Sequence, residues 1–194
     1  MARRIVTVAG VIVVAAVLAA VSAWWMTFKT PFRGAIANGA WRTSLATGSA
    51  DAGIYARANV AVTGLFALSA AEAIYFVAMV DDDGRALRAR CTYAIDGRPV
   101  GARWWSITAY GDDHFLIPNV IDRFSFNMGN LPVGADGRFS VVASPSDQGA
   151  GWLPTGGGNG TFNLLFRIYN PAPETIANLG TIALPSIRQR GQCR

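Results

Sequence analysis

Residues Ile5 to Trp25, IVTVAGVIVVAAVLAAVSAWW, run for 21 positions without a charge. As a helix rising about 1.5 Å per residue, such a run reaches about 31 Å, the thickness of a bilayer hydrocarbon core. It therefore reads as a membrane span over residues 5–25, with two competitors: a cleaved secretory signal and a buried core helix. Arg3 and Arg4 supply a positive n-region, and Val21-Ser22-Ala23 has the small residues of a cleavage site. The run exceeds the usual h-region of about 7–15 residues, which favours a retained anchor. Trp24 and Trp25 then fall where an interfacial aromatic belt belongs. Lys29, Arg33 and Arg42 after the span nearly balance Arg3 and Arg4 before it, so charge leaves the orientation open. The expectation is a single-pass protein of the inner (cytoplasmic) membrane, its globular part periplasmic or extracellular.

With 194 residues, the chain can hold that segment and one domain of ordinary size. Its formal charge of +5 comes from sixteen Arg and a single Lys spread thinly along the sequence. Without Arg3 and Arg4 only about three positive charges remain, in no run or stripe, which excludes the phosphate footprint of a nucleic-acid binder.

Cys91 and Cys193 have no second cysteine or histidine nearby at metal-ligand spacing. A disulfide is the better reading, and it would tie the C-terminal tail to the domain in an oxidising compartment. Two unrelated thiols are the alternative.

Beyond the span, residues 29–53 are rich in Gly, Ala, Ser and Thr and read as a linker. In Ile54 to Leu68 the apolar positions Tyr55, Ala58, Val62, Leu65 and Phe66 predict a short amphipathic helix. After Glu72 the period changes to that of strands. AIYFVAMV and the run ending in CTYAI flank Asp83-Gly84, a dipeptide suited to a hairpin turn. ARWWSITAY, HFLIPNV, RFSFNM, RFSVVAS, TFNLLFRIY and TIALPSI follow, separated by turn signals at Asp96-Gly97, Gly111-Asp112-Asp113, Asp136-Gly137 and Gly156 to Gly160. Many short strands without helical periods between them predict a mainly β domain over residues 54–194, an antiparallel β-sandwich or jelly roll.

The stretch ARWWSITAYGDDHFL is where chemistry would be sought. Strand alternation puts Trp104, Ser106, Thr108 and Tyr110 on one face and Arg103, Trp105, Ile107 and Ala109 on the other. One Trp is expected in the core and the other under a loop or the N-terminal helix; an exposed ring stacking on a sugar is the functional alternative. His114, the sole histidine, would need an orienting carboxylate and a nucleophile to act as a base, and Ser106, Ser125 and Ser140 are nominal candidates. No G-x-S-x-G, H-E-x-x-H or P-loop pattern occurs. Asp112, Asp113 and His114 read first as a solvated turn, and Asp81-Asp82-Asp83 lacks the spacing of a calcium loop.

Taken in order, ARWWSITAYGDDHFLIPNVIDRFSF, DGRFSVVAS, GWLPTGGGNGTFNLLFRIYNP and LPSI resemble the bacterial domain-of-unknown-function family twelve-fourteen, from about Ala70 to Ile187. The resemblance falls on Trp105, Ser106, Thr108 and Tyr110; on Asn119, Arg123 and Ser125; on Asp136 and Gly137; on Trp152, Leu153 and Pro154; and on Arg167, Tyr169 and Pro171. The chain departs from the pattern at Gly111, Asp122 and Gly151, where polar side chains of the family are replaced. The resemblance implies a jelly-roll-like sandwich with no established reaction. Larger relatives look like two modules in one chain, so a separately encoded companion protein is an implied partner. A tagged copy purified in mild detergent should bring it down; recovery of the chain alone would count against it.

Arg123 and Arg167 both fall in predicted strands, where an inward Arg needs a partner such as Asp122, Asp136 or a backbone carbonyl; an anion-binding pocket is the alternative. The leading expectation is thus a membrane-anchored, extracytoplasmic, non-catalytic binding or structural module with no cofactor and no metal. Its candidate ligand-binding residues are Trp105, Tyr110, His114, Arg123 and Arg167, its ligand is unspecified, and no catalytic residue is assigned. An envelope hydrolase or isomerase using His114, and a carbohydrate-binding module using Trp104 or Trp105, are the alternatives.

Overall fold

A computed structural model describes residues 2–29, 34–63, 67–131 and 133–193. The apolar run lies in one uninterrupted helix, α1 (Ala2–Phe28), whose valines and isoleucines are exposed and whose single buried residue is Thr27. A helix apolar all round and covered by nothing is unsuited to water, and α1 is long and apolar enough to cross a membrane. At its end the Lys29 ammonium lies 5.5 Å from the Trp24 ring centroid, an arrangement suited to an interface.

The strands are β1 (Ile36–Asn38), β2 (Trp41–Thr43), β3 (Ala73–Ala78), β4 (Thr92–Gly97), β5 (Ala102–Gly111), β6 (Ser125–Asn127), β7 (Phe139–Ser144), β8 (Trp152–Pro154), β9 (Phe162–Pro171) and β10 (Ser186–Arg190). Two further helices are α2 (Ile54–Val62) and α3 (Pro173–Ala177). The larger sheet has the order β1-β2-β3-β9-β5-β6 and the smaller β10-β4-β7-β8. One apolar cluster joins inward residues of both, including Phe76, Ile107 and Phe166 from the larger sheet and Tyr93, Ile95, Val141 and Ile187 from the smaller. Trp105 stacks across the interface on Phe139 at 4.7 Å between ring centroids. The domain is therefore a mainly β sandwich, its core supplied by alternate residues of both sheets. All pairings are antiparallel except β7 with β8, which run parallel over three residues.

Several local expectations changed on folding. The Asp83-Gly84 turn forms, with Gly84 at φ +79° and its amide bonded to the Asp81 carbonyl at 2.9 Å. The residues beside it pair through one antiparallel bridge, Val80 to Ala86, but the strands beyond part: β3 joins β9, whereas β4 joins β7 and β10, so the turn carries the chain from one sheet to the other. HFLIPNV is a loop tied to β5 by a single bridge, Tyr110 to Leu116, with Phe115 and Val120 73% and 94% exposed. The Asn119 side chain organises it, donating to the carbonyls of Ile117 and Arg123 and accepting from the amides of Ile121 and Arg123. Arg123 accordingly precedes β6 and is not in a strand. TIALPSI becomes strand only from Ser186.

The stretch read as linker contains the β1-β2 hairpin, which extends the larger sheet and buries Trp41, whose indole donates to the Pro185 carbonyl at 2.7 Å. Helix α2 ends at Val62 and buries no residue; Leu65 and Phe66 lie outside the described residues. Asn59 of α2 donates to the Thr27 carbonyl at 3.1 Å, so α2 leans on the end of α1. Cys91 and Cys193 form a disulfide, their Cα atoms 4.5 Å apart and 102 positions apart in sequence.

In the sheet-to-sheet turn, buried Asp81 accepts from the Asp83 amide (3.1 Å), the Arg85 amide (2.9 Å) and Arg85 Nε (3.0 Å). The hydrogen bond that Arg85 donates to Asp81 is the main cause that raises the Arg85 pKa above its ordinary value. Asp81→Ala orphans donors held in the turn and should cost about 2–3 kcal/mol in urea unfolding. Asp83→Ala, at an exposed carboxylate, should cost under about 1 kcal/mol; equal costs would show that Asp81 does not organise the turn.

Candidate functional site

Because strand residues alternate faces, the central strands that bury Phe76, Ile107 and Phe166 present a second face outward. On it Tyr75 of β3 and Ser106 of β5 lie opposite Arg167 of β9. One step along the strands, Val77 and Thr108 flank Leu165, and Tyr110 lies opposite Asn163. Chain from far away in sequence stands over this face. The Leu68 amide donates to the Tyr75 hydroxyl at 2.9 Å, and Gly48, at φ +76°, lies so close to the Leu68 carbonyl that a Cβ there would collide with it.

On the same face is a cleft of about 360 Å³. Tyr75, Val77, Tyr110 and Leu165 belong to its floor; Phe28 at the end of α1, Asn59 and Thr63 near the end of α2, and Thr43, Ser44 and Thr47 contribute walls; Arg42, Asp112 and His114 also line it.

The expected site residues part company here. Tyr110 and His114 line the cleft. Arg167, half-buried, reaches Tyr110: its Nη2 donates to the hydroxyl at 2.8 Å and its Nη1 to Thr108 Oγ1 at 3.3 Å. Arg123 is elsewhere, donating to the carbonyls of Ala150 and Trp152 and lying 5.2 Å from the Phe126 ring centroid, which ties its loop to β8. Trp105 is in the core, 0% exposed, and presents no surface to a ligand. Its neighbour Trp104 is 41% exposed and packs against Gly129, where a Cβ would meet the indole at 2.9 Å.

His114 is exposed in a left-handed conformation, φ 67°, in a turn where Asp113 Oδ1 accepts from the Phe115 amide at 3.0 Å. Among the described residues its imidazole makes no hydrogen bond, and none of the hydroxyls of Ser106, Ser125 and Ser140 reaches it. No group of three or more His, Cys, Asp or Glu suited to a metal occurs among the described residues.

Sequence reasoning missed Tyr75, Asn163 and Leu165. Carrying the alternation argument from β5 to β9 would have found the last two, since Asn163, Leu165, Arg167 and Tyr169 share one face. The contribution of Phe28 and Asn59 had no local signal, because it depends on where the ends of two helices come to rest.

Residues 72–173 match the model of a family described as "Protein of unknown function (DUF1214)". No curated protein matches the chain. The structure is similar to the crystal structure of the VPA0106 protein from Vibrio parahaemolyticus, with a TM-score of 0.59 and 23% identity, covering 73% of this chain and 36% of that one. It is also similar to the crystal structure of an uncharacterised protein from Burkholderia cenocepacia, with a TM-score of 0.44 and 19% identity, covering 89% of this chain and 39% of that one. The chain thus spans little more than a third of the length of either protein, and the first likeness supports the sandwich fold.

Proposed function

Since the chain belongs to the DUF1214 family, whose description assigns no activity, function must come from the cleft, and we propose a membrane-anchored, non-catalytic binding module. Its domain lies on the extracytoplasmic side of the inner membrane. The observation that carries this reading is the cleft whose wall includes Phe28, the last residue of the apolar helix. A ligand site there sits beside the bilayer interface, where both soluble and membrane-derived molecules have access. The cleft's size and its mixture of aromatic, aliphatic and hydroxyl or amide groups suit a small molecule. The disulfide favours delivery to an oxidising compartment. Binding is preferred to catalysis because, among the described residues, the imidazole of His114 lacks the orienting partner a general base requires.

The full chain in nanodiscs of zwitterionic lipid, probed with benzyl alcohol by ligand-observed NMR, tests the reading. Met79 lines the cleft and is half-exposed, so Met79→Trp should fill the space and cut probe binding at least about fivefold. His114→Ala should leave folding and any cellular phenotype intact. Undiminished binding by the Met79→Trp protein would remove the cleft as the site; a phenotype lost in His114→Ala with unchanged melting would favour the hydrolase or isomerase alternative.

A further inference from the structure

We propose that Arg167, which lies outside the cleft lining but holds the cleft residue Tyr110, forms with it an anion-recognising edge of the cleft, so that its ligand is a small amphiphile: a carboxylate or phosphate monoester on an apolar body. The proposal rests on the cleft being a binding site and adds the chemical class of what enters it.

Arg167 sits in the middle of β9, paired on one side with Tyr75 and on the other with Ser106, in the most extensively paired part of the larger sheet. Its backbone is held on both edges, and its guanidinium is half-buried. A guanidinium carries five N–H donors and a charge that burial makes costly unless it is balanced. The polar partners of Arg167 are two neutral hydroxyls, Thr108 and Tyr110. No carboxylate among the described residues lies within ion-pairing distance of it, whereas Arg85 has two and Arg138 and Arg188 have one each. The hydroxyls therefore orient the charge without neutralising it, and they leave donors over for forked contact with a planar or tetrahedral anion.

The second unspent group is the Tyr110 hydroxyl. It accepts from Arg167, so its own proton remains, and among the described residues that proton has no acceptor. Tyr110 lines the cleft. Two more cleft-lining residues share the sheet face of Arg167: Tyr75 directly across the strand pair, and Leu165 two positions along β9. These are separations of about 5 and 7 Å. An anionic oxygen accepting from Arg167 and Tyr110 would leave its apolar portion over Tyr110 and Leu165, inside the cleft.

The test uses the full chain in nanodiscs of zwitterionic lipid and titrates benzoate, phenyl phosphate, inorganic phosphate and the neutral benzyl alcohol by ligand-observed NMR. At least one of the two aromatic anions should bind about tenfold or more tightly than benzyl alcohol, and the better one identifies carboxylate or phosphate as the preferred headgroup. Arg167→Met should bring that anion to the level of benzyl alcohol, with near-ultraviolet circular dichroism reporting that the domain is still folded. Arg167→Lys should retain an intermediate preference, and Tyr110→Phe should weaken the anion severalfold. Equal binding of anions and alcohol by the wild type, or a preference that survives Arg167→Met, would overturn the inference while the cleft stands. Inorganic phosphate binding as tightly as phenyl phosphate would overturn its amphiphilic part. Failure of every probe to bind would overturn the cleft reading, and the inference with it.

Discussion

Trp105→Ala should lower the unfolding free energy by about 3–5 kcal/mol, and Trp104→Ala, one residue away, by about 1 kcal/mol or less. The first ring is fully buried between the sheets, stacked on Phe139 and tilted against Phe166 at 5.9 Å between centroids. Its removal leaves a cavity that β5, paired along its length with β9, cannot close by moving inward. The second ring covers a glycine at the surface, and water fills the space it leaves. Trp105→Phe should lie between, at about 1–2 kcal/mol, because the indole Nε1 of Trp105 is buried with no hydrogen-bond partner and its loss strands nothing. Urea unfolding in mild detergent, followed by near-ultraviolet circular dichroism, measures all three. If Trp104→Ala proved the more damaging, the faces of β5 would be assigned the wrong way round.

Breaking the Cys91–Cys193 bridge should be of similar size. Cys91 is buried in the core and Cys193 lies near the C-terminus, so the bridge closes a loop of 102 positions. Loop-closure entropy in the unfolded chain values such a link at about 4–5 kcal/mol. Cys193→Ser and Cys91→Ser should each lose about that much, and the double variant no more than the worse single one, since both remove the same constraint. A loss under about 1 kcal/mol would show that the tail contributes nothing to the domain. The same pair reports the compartment: in intact cells treated with a thiol-reactive polyethylene glycol, the wild type should shift in mobility only after reduction. Free thiols before reduction would contradict an extracytoplasmic domain.

How much was legible depends on the range of the interaction. The α1 helix could be read as an uninterrupted apolar helix long enough to cross a membrane, because the length and composition of a run of 21 uncharged residues need no distant partner. The two faces of β5 were legible for a similar reason: strand geometry alone sends Trp105 and Ile107 one way and Thr108 and Tyr110 the other. The turn at Asp83-Gly84 was legible as a turn, since φ +79° is a property of that one residue. That it joins two sheets and not two paired strands was not legible. The register of β3 against β9 is set by which inward residues fill the core, some 90 positions apart. The strand read at HFLIPNV failed on the same ground, for only Leu116 bridges β5 and Asn119 closes the residues after it into a loop.

The two arginines show the boundary most sharply. Both are arginines in stretches that read as strands and that fall within the family resemblance, and from sequence they shared one set of alternatives. Tertiary structure sent Arg123 to two backbone carbonyls and Arg167 to two hydroxyls. Composition and periodicity determined by themselves that this chain has an apolar helix long enough to span a bilayer and a β-rich body with alternating faces. Only the packed molecule decided which strands pair, which tryptophan is interior, and that the ends of α1 and α2 meet the outer sheet face as a cleft. The reason is physical: helix and strand periods are written in neighbouring residues, whereas pairing partners and cavities arise from burial shared among residues far apart in sequence.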